Sequence, residues 1–151
     1  MRVTKDNINK FIEGTRINCP DMGITHIEYI PDGITRLDCW NNKLTELPKL
    51  PNSLIGLYCG DNKLTELPKL PNSLIGLYCG DNKLTELPKL PNSLTNLNCS
   101  NNKLTELPKL PNSLYYLDCK HNNLPYLINI DNLKQHNTLI KRKLILKRIC
   151  G

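Results

Sequence analysis

A block of twenty residues, PNSLIGLYCGDNKLTELPKL, fills positions 51–70 and is followed immediately by an identical copy at positions 71–90. The part that reads NKLTELPKLPNSL recurs in the same register at 42–54, 62–74, 82–94 and 102–114. A fixed period of this length predicts a solenoid, in which each repeat packs only against its neighbours. The period therefore restricts the fold more than any single residue does.

One repeat reads L-x-x-L-x-C-x-x-N-x-L-x-x-L-P-x-L-P from Leu54 onward. Leu57 and Cys59 alternate with Tyr58, which predicts a short strand with two side chains inward and one outward. Such strands would stack as one parallel sheet. Asn62 follows at the turn, where its amide can satisfy backbone groups, so we expect a hydrogen-bonded column of asparagines. Two prolines per repeat favour an extended, polyproline-like return over a helix.

This pattern resembles the short leucine-rich repeats of secreted bacterial effector proteins, and its L-x-C-x-x-N variant is similar to repeat proteins of giant viruses and amoebal genomes. The resemblance covers roughly residues 14–134. It implies a β-rich horseshoe that binds another macromolecule, with a concave parallel sheet and an extended convex side. Some bacterial relatives add a ubiquitin-ligase domain with a catalytic cysteine. The 151 residues leave no room for that domain, so we expect no enzyme activity.

The predicted organisation is a single leucine-rich repeat domain over residues 1–151. Its predicted parts are an N-terminal cap over 1–13, six repeats over 14–133 and a basic C-terminal cap over 134–151. Repeats at the two ends of such a stack are expected to be atypical, because they must close the core against water.

Both caps have a predicted structure. The segment TKDNINKFIEGT at 4–15 predicts a short capping helix that begins at Thr4 or Asp6 and buries Ile8, Phe11 and Ile12. The C-terminal segment shows no clean helical stripe. A last strand edged with lysine and arginine explains it at least as well, as does a partial seventh repeat that places Leu139 and Leu144 on the core rows.

Cysteines also keep the twenty-residue step, at positions 19, 39, 59, 79, 99 and 119. Each holds an inward strand position, where a free cysteine behaves as a small hydrophobe, so we interpret the row as reduced core residues. Disulfides between neighbouring strands fit the distance and stay open as an alternative. A metal site is the weaker alternative, because no C-x-x-C pair occurs, and we expect no cofactor. Cys150, beside Lys147 and Arg148, is a minor candidate for a functional thiol.

The N-terminus has no apolar segment of the kind that directs secretion, and no window reaches transmembrane length. We therefore predict an intracellular, cytoplasmic protein, located in the host cytoplasm if the source is a virus or an effector-secreting bacterium. The same location would keep the thiols reduced.

Outward strand positions vary from repeat to repeat while the KLTELPKLPNS segment stays nearly fixed, which leaves the varying face free for recognition. The candidate binding residues on it are Asp38, Trp40, Tyr58, Asp61, Tyr78, Asp81, Tyr116, Asp118 and His121. Trp40 beside Gly60, with Tyr58 and Tyr78 adjacent, predicts an aromatic patch with a carboxylate rim, as binding hot spots favour. The alternative is that tyrosine merely suits strand geometry.

The sequence leaves three functions open. We favour a non-catalytic module that binds a protein partner through the concave face, with no small-molecule substrate. The first alternative is a substrate-recognition subunit for a ubiquitin ligase on a separate chain. The second is binding of nucleic acid or an anionic membrane through a basic tail that comprises Lys141, Arg142, Lys143, Lys147 and Arg148. Lysine and arginine total 20 against 14 acids, and the excess lies after residue 133.

Overall fold

The computed structural model describes residues 1–150, and for Lys147, Ile149 and Cys150 it describes the backbone only. The chain begins with strand β1 (Arg2–Val3), one 3-10 turn (Ile8–Phe11) and strand β2 (Ile12–Glu13). The strands that follow are β3 (Arg16–Asn18), β4 (His26–Ile27), β5 (Arg36–Asp38), β6 (Gly56–Tyr58), β7 (Gly76–Tyr78), β8 (Asn96–Asn98) and β9 (Tyr116–Asp118). Helix α1 (Leu133–Cys150) ends the described chain.

One sheet of seven strands, in the order β2-β3-β5-β6-β7-β8-β9, forms the face of the solenoid. From β3 to β9 all pairs are parallel, and each residue pairs with the one twenty positions later, as Leu57 does with Leu77. The repeat period therefore sets the register directly. Between these strands the chain returns without a helix, and β4 is the only strand in those segments of the described chain.

The core consists of aliphatic rows that run through all turns. Leu57, Leu64 and Leu74 of one turn are fully buried, and so is Cys59. A fully buried leucine stabilises the fold by roughly 2 kcal/mol, so the repeated rows supply most of the favourable free energy. The periodic cysteines are free and buried, which confirms that they are core residues. The side chain of Cys150 lies outside the described residues.

Asparagines at the bend form the predicted column. The Nδ2 of Asn62 donates to the Cys59 carbonyl of its own turn (3.2 Å) and to the Cys39 carbonyl of the preceding turn (3.0 Å). Its Oδ1 accepts from the Leu44 N–H of that preceding turn at 3.0 Å. Each side chain thus joins two turns through groups that the strand pairing leaves free. The pattern repeats at Asn42, Asn82, Asn102 and Asn122.

The N-terminal cap differs from the predicted helix, of which only the 3-10 turn from Ile8 to Phe11 exists. The Asn7 side chain accepts from the Thr4 N–H and donates to the Arg2 carbonyl, which ties the segment into a local loop. Strand β2 then pairs antiparallel with β3 and covers the first edge of the sheet. Covering that edge satisfies more backbone groups than an isolated short helix would.

The C-terminal cap is helix α1, so the predicted last strand and the partial seventh repeat are both wrong. His136 is buried, and its ring nitrogens lie 3.0 Å from the Pro108 carbonyl and 3.0 Å from the Tyr126 hydroxyl. Asn137 donates to the Leu110 carbonyl and accepts from the Leu110 N–H, both at 2.8 Å. The helix is therefore held against the last turn by hydrogen bonds to the backbone of Pro108 and Leu110.

Candidate functional site

The concave face carries a stack of three side chains on adjacent strands. The rings of Tyr58 and Tyr78 lie with their centroids 4.8 Å apart and their planes 7° apart. The Arg36 guanidinium lies 4.0 Å from the centroid of the Tyr58 ring. Because these side chains come from neighbouring parallel strands, the backbone register holds them in place before any ligand arrives.

Arg36 also pairs with Asp38, with 3.5 Å between Nη2 and Oδ2. Arg36 was not among the predicted residues. The signal was available, because residues two positions apart in a strand share a face, and Arg36 precedes Asp38 by two. Guanidinium groups stack well on aromatic rings. The site therefore includes the row of Arg36, from which the sequence prediction named Tyr116 alone.

Glycines make room for the aromatic rings. A Cβ on Gly56 would stand 3.1 Å from Cε2 of Tyr58, and a Cβ on Gly76 would meet Tyr78 at the same distance. A Cβ on Gly60 would stand 3.1 Å from Cδ1 of Trp40. A side chain at any of these glycines would therefore push against the neighbouring ring.

The row of Asp61 has a backbone role that the sequence interpretation missed. Its residues all have left-handed φ angles, between 49° and 57°: Asp21, Asn41, Asp61, Asp81, Asn101 and His121. Aspartate and asparagine tolerate this conformation better than most other residues. The use of aspartate or asparagine at five of these six positions therefore satisfies the backbone first, and it sets the charge of the surface as a second effect.

A groove of about 450 Å³ runs beside the stack, with Asp38, Trp40, Tyr58, Tyr78 and Asp81 among the residues that line it. The structure thus brings five of the nine predicted residues together. Asp61 lies next to these residues. Burial raises the pKa of the Asp61 carboxyl, and repulsion from Asp81 raises it further, while a hydrogen bond from Trp40 lowers it. Asp21, which was not predicted, lines the same groove.

The other three predicted residues lie towards the last turn. Tyr116 and Asp118 belong to strand β9, with Tyr116 exposed. His121 lines a separate cavity of about 240 Å³, beside Tyr126 and Leu127. None of the three lines the groove beside Trp40 in the described part of the chain.

A second groove, of about 310 Å³, lies on the other side of the tyrosine pair. Arg16 and Arg36 line it together with Ile55 and Ile75, which are each 44% exposed. Exposed isoleucines at equivalent positions of the two identical repeats form an apolar edge. The Tyr58 and Tyr78 rings therefore lie between an acidic groove and a groove that is basic and apolar.

The cysteine row offers no reactive thiol among the described side chains. Burial raises the pKa of Cys79 to about 12 and holds those of Cys39 and Cys59 well above the usual range. The thiolate, which is the nucleophile and metal ligand, is therefore disfavoured. No cluster of three metal-ligating side chains occurs in the described residues.

Asp61→Asn is expected to stabilise the fold at pH 7. A carboxyl whose pKa is raised by folding binds its proton more tightly in the folded state, so ionised Asp61 lowers stability at neutral pH and the cost disappears on acidification. Solvent screens this largely exposed group, so the gain is about 0.3 kcal/mol. Urea unfolding at pH 7 and pH 3 measures it, with the exposed Glu66→Gln as control. A variant less stable than wild type at pH 7 would contradict the expectation.

The parallel sheet, the buried leucine rows and the asparagine column define a leucine-rich repeat solenoid. The family model for Leucine Rich Repeat matches residues 93–114. The chain is a leucine-rich repeat protein with twenty-residue repeats. A search of curated protein sequences finds no significant match.

Solved structures of bacterial proteins are similar to this chain. YopM from Yersinia enterocolitica WA-314 is 41% identical over 70% of this chain and 24% of its own, with a TM-score of 0.67. A Shigella effector leucine-rich repeat domain is 35% identical over 84% of this chain and 57% of its own, with a TM-score of 0.75. YopM from Yersinia pestis is 32% identical over 71% and 36%, with a TM-score of 0.54. The chain thus spans 24% to 57% of the length of these proteins.

Proposed function

We propose that this solenoid is a non-catalytic module that binds a protein partner through its concave face. The observation that carries the proposal is the stack of Arg36, Tyr58 and Tyr78 on paired strands, with Trp40 beside it. Tryptophan, tyrosine and arginine are the residues that dominate binding energy at protein interfaces. Since the strands already hold them, little ordering entropy is lost on binding.

The similarity to effector proteins of Yersinia and Shigella supports a role in host–pathogen interaction. We propose on this basis that the protein acts inside a cell, in the cytoplasm of a host. In the described residues, no helix has both the length and the apolar character that crossing a membrane requires.

The decisive experiment is a pull-down with wild type and the variant Trp40→Ala/Tyr58→Ala/Tyr78→Ala. We expect recovery of specific partners to fall at least about tenfold, because three aromatic anchors are lost at once. The matched control is Thr65→Ala/Glu66→Ala/Lys69→Ala, which removes three exposed side chains from the return segment. Circular dichroism verifies that both variants fold. Equal recovery by the two triple variants would contradict the proposal.

Helix α1 supports a second candidate function. Its later half exposes Leu144, Ile145 and Leu146 near Lys141 and Arg142. Such a surface suits an anionic membrane or nucleic acid, although Lys143 already pairs with Glu106 at 3.3 Å. The side chain of Lys147 lies outside the described residues. Binding that disappears on Lys141→Gln/Arg142→Gln and falls steeply with salt would favour this function.

The remaining alternative is recognition of substrates for a ubiquitin ligase on another chain. Its surface would be the same concave face, so the pull-down also tests it. Recovery of ligase subunits by wild type, and their loss with the aromatic triple variant, would favour this alternative.

A further inference from the structure

We infer that the groove beside Trp40 receives an arginine side chain of the protein partner, between the aromatic rings and the carboxylates of Asp61 and Asp81. The inference rests on the proposed function, because it names the chemistry by which the concave face would recognise its partner. The contact is a guanidinium group of the partner that inserts into a groove already formed.

The negative charge of the groove favours a cationic ligand. Asp21, Asp38 and Asp81 line the groove, Asp61 adjoins it, and no basic residue of the described chain lines it. Asp38 is paired with Arg36. With Lys147, Ile149, Cys150 and Gly151 set aside, none of the other three aspartates forms an ion pair. An incoming cation would relieve their mutual repulsion, and the adjacent Arg36 guanidinium is already paired with Asp38.

Shape is the second argument. Trp40, Tyr58 and Tyr78 all line the groove, and Gly60 and Gly80 line it without side chains of their own. The Trp40 ring lies close to Gly60, where a Cβ would stand 3.1 Å from its Cδ1. The groove is thus lined by aromatic rings and bordered by carboxylates. A planar, weakly hydrated guanidinium fits such a groove better than the compact and strongly hydrated ammonium of lysine.

The protein already contains one arginine that both stacks on an aromatic ring and pairs with a carboxylate. Arg36 stacks 4.0 Å from the Tyr58 centroid and pairs with the Asp38 carboxylate at 3.5 Å. An arginine of the partner that packed against Trp40 and paired with Asp61 or Asp81 would repeat this combination one row further along the same face.

Fluorescence of Trp40 provides the test, because it is the single tryptophan of the chain. The probes are two acetylated, amidated peptides, Gly-Ser-Arg-Ser-Gly and the same peptide with citrulline, which has the shape of arginine without its charge. We expect a saturable change with the arginine peptide and binding at least about tenfold weaker with the citrulline peptide.

The variant Asp61→Asn/Asp81→Asn should weaken binding of the arginine peptide by about tenfold. Asparagine suits the left-handed backbone at these positions, as Asn41 and Asn101 show in the same row. The matched control is Glu66→Gln/Glu86→Gln, which changes the charge equally on the same two turns but on exposed return segments. Its binding should stay within about twofold of wild type, because screening weakens distant charges.

Two results would overturn the inference: equal binding of the two peptides, or equal loss in the two double variants. The proposed function is separable from it. If the aromatic triple variant loses its partners while Asp61→Asn/Asp81→Asn keeps them and the peptides do not discriminate, the arginine inference is wrong and the concave face still binds. If the aromatic triple variant keeps its partners, the proposed function is wrong as well.

Discussion

Replacing Asn82 by alanine is expected to lower the free energy of unfolding by about 3 kcal/mol, although the side chain belongs to neither the core nor the candidate site. Its Nδ2 donates to the carbonyls of Cys59, Cys79 and Gly80, and its Oδ1 accepts from the Leu64 N–H at 2.9 Å. Alanine leaves the Leu64 N–H without a partner, while each of the three carbonyls keeps one other donor. The loss therefore combines one unpaired donor with three lost hydrogen bonds between and within turns. A buried polar group without a partner costs about 1–3 kcal/mol.

Urea unfolding followed by circular dichroism measures this loss. The matched control is Asn72→Ala, the same substitution in the same twenty-residue block, in a row that faces solvent. We expect the control to change stability by less than about 0.5 kcal/mol. If the two variants were equally stable, the asparagine column would not contribute what its hydrogen bonds imply.

The column and the core were predictable because the period itself determines them. A residue that recurs every twenty positions must lie in the same place in every turn, so Leu57 and Asn62 could be assigned from their neighbours. Met22 stands in the first turn where the later turns have asparagine, and the same logic explains this difference. Asn42 bonds back to the backbone of Met22 and Ile24, and the first turn has no preceding repeat turn to bond to in this way.

The structures of the two caps could not be predicted from the period, because the repeat does not extend into them. Tertiary contacts decide there: Asn7 closes a local loop, and His136 and Asn137 bond to the last turn. One signal for α1 was present in the sequence. Pro125 is the last proline, and residues 126–150 contain no proline or glycine to interrupt a helix.

The candidate site was predictable in part for a related reason. Outward positions reveal which residue types face the ligand side, so Trp40, Tyr58 and Tyr78 could be named. The stacking of Arg36 depends on how a long side chain folds over its neighbour, which no spacing specifies. The left-handed backbone at Asp61 was missed as well, although its row contains only aspartate, asparagine and histidine, which are enriched in that conformation.

Thiol labelling gives the second large effect, and it is expected to depend on the asparagine column. Burial raises the pKa of Cys79 to about 12, so at pH 8 the thiolate fraction falls at least a thousandfold below that of an ordinary cysteine with a pKa of about 8.5. Cys79 is also fully buried, so native Cys79 should react with a disulfide reagent only when the fold opens, and at least about 10³-fold more slowly than in urea. Rapid labelling of most periodic cysteines in the native protein would contradict this.

Asn82→Ala should restore much of that reactivity. When a buried thiol reacts only after the fold opens, its rate follows the population of the open form. A loss of about 3 kcal/mol raises that population by roughly a hundredfold, so Cys79 should label about a hundredfold faster in Asn82→Ala and at the wild-type rate in Asn72→Ala. A variant that is less stable but labels no faster would contradict this expectation. The reagent would then reach Cys79 through a local opening, although Leu77 and Cys79 are fully buried.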